Sequence, residues 1–168
     1  ADRMLMLGDQ QVGYNNYEMA YAYYSWGLEK QPLNKFLAFR FAVSAMHSGR
    51  FEWQGYALDE SLHAAKRALA LGYHDENVYK QCSLIFERKS SWRDAIRALD
   101  AAHALYPHRE DLSNNLSYYL ALTRIRLDDA IALAEDAVAR SPHDPTFLDT
   151  LGFAYLTTGR FADAIPPL

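Results

Sequence analysis

The sequence predicts an all-α fold of tandem helix pairs, and three observations favour this fold class. Apolar residues recur three and four positions apart through most of the 168 residues, which is the spacing of amphipathic helices. Similar segments of about 34 residues return along the chain, which is typical of a repeat architecture. No segment shows a convincing strand pattern of alternating apolar and polar residues.

The clearest repeating segment is TFLDTLGFAYLTTGRFADAI, which ends at Ile165. Its recurring residues are Leu151, Gly152, Tyr155, Gly159, Phe161, Ala164 and Ile165. An earlier segment, VYKQCSLIFERKSSWRDAIRALDAAHALYP, has the same spacing, with Cys82, Ser83, Phe86, Ser90, Trp92, Ala95 and Ile96 at the matching positions. The segment between them, NNLSYYLALTRIRLDDAIALAEDAVARSP, follows the pattern with Leu116, Ser117, Leu120, Leu127, Ala130 and Ile131.

These segments resemble tetratricopeptide repeats, whose pattern combines Leu-Gly, two spaced aromatic residues, alanines and a closing proline. The amino-terminal segment matches with Leu7, Gly8, Tyr24, Gly27 and Pro32. The resemblance covers essentially the whole chain and implies a right-handed α-solenoid of about five helical hairpins in one domain, 1–168. The repeat boundaries that it implies are about 1–34, 35–75 with an insertion, 76–109, 110–144 and 145–168, the last truncated.

Small residues and helix breakers explain how each repeat would fold. The first helices carry a small residue where the paired helix must approach closely, at Gly8, Ala42, Ser83, Ser117 and Gly152. Pro32, Pro107 and Pro142 should end the second helices, because proline lacks the amide donor and clashes with the preceding turn. Gly49 and Gly159 should end first helices, where a left-handed residue is needed.

Three segments depart from the repeat pattern. The second repeat carries the insertion EWQGYALDE, after which we expect its second helix to resume at Ser61. The turn TRIRLDD in the fourth repeat lacks glycine and should be irregular. The fifth repeat stops at Leu168, inside its expected second helix.

Composition limits the classes of partner. The formal charge of -4 and the isoelectric point of about 5.8 argue against nucleic acid. No run approaches the ~18 apolar residues of a membrane-spanning helix, so we expect no transmembrane segment. The single cysteine excludes an internal disulfide framework and is compatible with the cytoplasm or the periplasm, so the localisation stays open.

The sequence contains none of the common catalytic motifs. It lacks the GxxxxGK[ST] phosphate loop, a GxGxxG turn and HExxH, and its six histidines show no paired metal-ligand spacing. Cys82 stands where the repeat places a core leucine, which favours a buried, inert thiol. We therefore expect no enzyme activity, no cofactor and no bound metal.

In proteins with this repeat, first helices line a concave surface where protein ligands bind. The resemblance therefore implies a non-catalytic scaffold that binds a peptide segment, a helix or a neighbouring domain of the same polypeptide. The partner-binding residues that it implies are Phe39, Val43, Lys80, Leu84, Arg88, Asn114, Tyr118, Asp149 and Phe153. Phe39, Tyr118 and Phe153 would be aromatic anchors, and Lys80 with Arg88 would orient an acidic or carboxy-terminal group. Some of these residues could instead pack only against neighbouring helices.

Other functions remain open at this stage. The repeats are similar to bacterial arrays, so the chain could be the regulatory or substrate-presenting arm of a larger enzyme or of an envelope polysaccharide-export assembly. A glycan could bind Trp53 and Tyr56 in the insertion. Recognition of a terminal carboxylate by paired Lys and Asn residues is disfavoured, because only Lys80 matches that pattern.

Overall fold

The structure, a computed structural model, describes residues 2–48 and 54–164, with the backbone alone for 54–57. This part of the chain contains nine α-helices and no strand. The helices are α1 (Asp2–Gly13), α2 (Tyr17–Lys30), α3 (Lys35–His47), α4 (Gln54–Ala70), α5 (Glu76–Arg88), α6 (Trp92–Leu105), α7 (Glu110–Thr123), α8 (Leu127–Arg140) and α9 (Pro145–Thr157). The all-α helical-repeat fold class is confirmed.

The chain divides into two compact units, Ala1–Ser91 and Trp92–Leu168. The first unit contains α1 to α5 and the second contains α6 to α9. The boundary falls between the two helices of the predicted third repeat. A single domain over 1–168 therefore stays a prediction, and each unit is described by itself.

Helix boundaries follow the residues that cap and break helices. The helices α2, α6 and α8 end two residues before Pro32, Pro107 and Pro142, as predicted. At the amino ends of α5 and α9, the carboxylates of Asp75 and Asp144 accept hydrogen bonds from backbone N–H groups of the first turn. These caps satisfy amides that have no partner within the helix.

Small residues bring paired helices together in both units. In the first unit, Gly8 of α1 lies against the Tyr24 ring of α2, and both residues are buried. In the second unit, buried Ser117 of α7 donates a hydrogen bond of 2.6 Å to the carbonyl oxygen of Ala130 of α8. A larger side chain at either small position would push the two helices apart.

The insertion in the second repeat extends a helix. The expectation that the second helix resumes at Ser61 is wrong, because α4 already begins at Gln54. The segment YALDE contains helix-favouring Ala, Leu and Glu and no proline, which explains the longer helix. Trp53 lies outside the described residues, as does the side chain of Tyr56.

The turn between α7 and α8 is irregular, as predicted. Arg124 and Arg126 have φ angles of +55° and +52°, in the left-handed region that glycine normally occupies. Arg126 is held there by its hydrogen bonds, because its guanidinium bonds to Asp129 at 2.7 Å and to Asp100 at 2.9 Å.

The packing expected at Gly152 is only partly visible in the residues that the structure describes. Gly152 is half-buried, and a Cβ added there would lie 3.5 Å from the Ala164 carbonyl oxygen, an ordinary contact. The residues after α9 form turns up to Ala164, so close packing of Gly152 against a second helix stays a prediction. Residues 165–168 of the expected second helix, like Gly49, lie outside the described range.

Candidate functional site

In the first unit, α3 presents a stripe of accessible residues at successive turns. Phe36, Arg40 and His47 are exposed and Val43 is half-buried, and these positions are three or four apart. Phe39, predicted to be an anchor, is only 5% exposed. The predicted Val43 therefore lies on the accessible stripe and the predicted Phe39 does not, and Phe36 is the accessible ring of the stripe.

Three aromatic rings and an ammonium group meet at the start of α3. The ring of Tyr73, from the α4–α5 loop, lies edge-on to Phe36 at 5.0 Å and to Phe39 at 5.5 Å. The Lys35 ammonium lies 5.5 Å from the Phe36 ring centre and bonds to the Gly72 carbonyl oxygen at 3.2 Å. Phe36 keeps 47% of its surface exposed and Phe39 only 5%, so of these two rings Phe36 is the accessible one.

The helix α5 places predicted residues on an accessible face of the same unit. Lys80, Leu84 and Arg88 are exposed and follow one another at intervals of four residues, one helical turn apart. Burial lowers the pKa of His47 on α3, and the nearby positive charge of Arg88 lowers that pKa further. Cations from both helices therefore lie on this face.

A polar network joins three helices beside this face. The Tyr24 hydroxyl of α2 donates a hydrogen bond of 2.7 Å to the Asp9 carboxylate of α1, which also pairs with Arg40 of α3 at 3.2 Å. Burial, followed by the Asp9 hydrogen bond, raises the pKa of Tyr24 above its ordinary value. The network fixes the orientation of the Arg40 side chain.

In the second unit, the predicted aromatic residues of α7 and α9 touch. The ring centres of Tyr118 and Phe153 are 5.7 Å apart, and Tyr118 is 36% exposed while Phe153 is half-buried. Asp149, one turn before Phe153, is exposed. Tyr118, Phe153 and Asp149 therefore form one accessible patch that combines aromatic surface with a negative charge.

Asn114 lies one turn before Tyr118 but is buried, with 3% of its surface exposed. Its Oδ1 atom has no hydrogen-bond partner among the residues that the structure describes. A buried acceptor without a donor is unusual, because removing it from water costs free energy that no bond offsets.

The second unit has a cleft that the sequence did not indicate. It has a volume of about 340 Å³ and is lined by Asp100 and His103 of α6, Arg126 before α8, and apolar Leu116 and Leu133. The Arg126 ion pairs with Asp100 and Asp129 close one side of this cleft. The residues that form it are far apart in sequence, so no local motif marks it.

The surroundings of Cys82 are those of a packing residue. Cys82 is fully buried, and burial raises the pKa of its thiol to about 12. Among the residues that the structure describes, no group of three His, Cys, Asp or Glu side chains can hold a metal ion. No helix in the same described part is long and apolar enough to cross a membrane.

Helix pairs of this length, with small residues at the contact between paired helices and prolines after the second helices, define the tetratricopeptide-repeat fold. The chain has this fold. No family model matches the sequence, and no curated protein sequence matches it.

Solved structures show the same architecture. The crystal structure of MamA is 19% identical, with a TM-score of 0.81 over 97% of this chain and 85% of that chain. YrrB, a TPR protein with an unusual peptide-binding site, is 15% identical, with a TM-score of 0.81 over 96% of this chain and 79% of that one. PilF of Pseudomonas aeruginosa is 17% identical, with a TM-score of 0.69 over 97% and 71% of the two chains.

Proposed function

We propose that this protein is a non-catalytic interaction module that binds a segment of another protein on the accessible faces of its first helices. The fold supports this proposal, since a structural neighbour, YrrB, is a TPR protein with a peptide-binding site. The observation that carries the proposal is the accessible ring pair Tyr118–Phe153 on α7 and α9. Aromatic side chains dominate binding energies because they bury a large, rigid surface.

The first unit presents apolar and positively charged side chains on α3 and α5. Val43 and Leu84 supply apolar surface, and Lys80 and Arg88 add positive charge. This face would bind an apolar residue beside an acidic or carboxy-terminal group. Phe39 contacts the Tyr73 ring and is too deeply buried to contact a ligand itself.

The experiment uses peptides selected from a random 12-residue display library on the immobilised protein. The affinity of a selected, fluorescently labelled peptide is then measured by anisotropy for the wild type and for variants. Tyr118→Ala and Phe153→Ala should each weaken binding about 30-fold, which corresponds to ~2 kcal/mol lost at an anchor. Leu84→Ala tests the first unit in the same way.

The controls are large apolar residues on second helices. Trp26 of α2 and Leu105 of α6 are exposed, so Trp26→Ala and Leu105→Ala remove comparable surface away from the proposed faces. Both controls should bind like the wild type. If the first-helix variants fold cooperatively and bind every selected peptide as tightly as the wild type, the proposal fails.

A further inference from the structure

We draw no further inference here: the strongest candidate, the acidic cleft of about 340 Å³ lined by α6 and α8 in the second unit, carries nothing because Arg126 and Arg140 already pair with its three lining carboxylates and nothing in the described residues shows what would occupy it.

Discussion

Single residues decide how closely the helices approach one another, and Gly8 and Gly152 show the difference. The sequence pattern treats both as the small residue of a first helix. At Gly8, a Cβ would lie 2.6 Å from the Tyr24 Cζ atom, whereas at Gly152 the nearest atom of the described residues is 3.5 Å away. The pattern identifies the position in the repeat, but it cannot show whether a neighbouring ring fills the space.

Gly8→Ala should therefore destabilise the protein by about 1–3 kcal/mol, because the ring of buried Tyr24 must move. Gly152→Ala should be neutral or stabilising, since alanine favours a helix by about 1 kcal/mol over glycine and meets no clash. Urea denaturation of both variants measures the difference. Equal destabilisation by the two substitutions would show that the packing at one of these sites is misassigned.

His47 should make stability depend on pH. Its pKa is lowered from 6.5 in the folded protein, by burial and by Arg88, so the unfolded chain binds the proton more readily. The stability that depends on neutral His47 is fully present above the pKa of His47 in the unfolded chain. It is lost as the pH falls through the pKa of His47 in the folded protein. Between pH 7.5 and 5.5 the wild type should lose more stability than His47→Gln, as measured by denaturation at each pH. An identical pH profile for the two proteins would contradict this assignment.

At the scale of elements, the spacing of apolar and small residues was enough to predict the helix pairs. The prolines were enough to predict where three of the second helices end. The accessible side of each helix was harder to predict. On α3, Phe36 and Phe39 both contact Tyr73, a ring from the α4–α5 loop, yet only Phe39 is buried. Asn114 is also buried, although its place in the repeat predicts a lining residue. Such contacts join distant parts of the sequence, so periodicity alone cannot locate the edge of a buried face.

The α7–α8 turn provides a test of local backbone conformation. Arg124 has a φ of +55° and its side chain is exposed, and a left-handed conformation costs a non-glycine residue about 1–2 kcal/mol. Arg124→Gly should therefore be more stable than Arg124→Ala by ~1 kcal/mol, because both remove the side chain but only glycine relieves the backbone. The comparison uses thermal unfolding, and an alanine variant that is as stable as the glycine variant would exclude a left-handed residue here.

At the scale of the whole molecule, core formation and the proposed ligand binding use different surfaces. Buried alanines such as Ala20 and Ala130 lie on second helices and hold the helix pairs together, while the accessible aromatic and charged residues of the proposed faces lie on first helices. The repeat pattern predicts the first set because packing constrains it. Ligand chemistry is not part of that pattern, so the pattern does not predict which ligand group either face would bind.

Binding on the first-helix faces can be tested by hydrogen–deuterium exchange with and without a saturating, library-selected peptide. The peptide should slow amide exchange in α7 and α9, or in α3 and α5, and leave exchange in α6 and α8 unchanged. Protection confined to the second helices, around the cleft at Asp100 and Arg126, would contradict it.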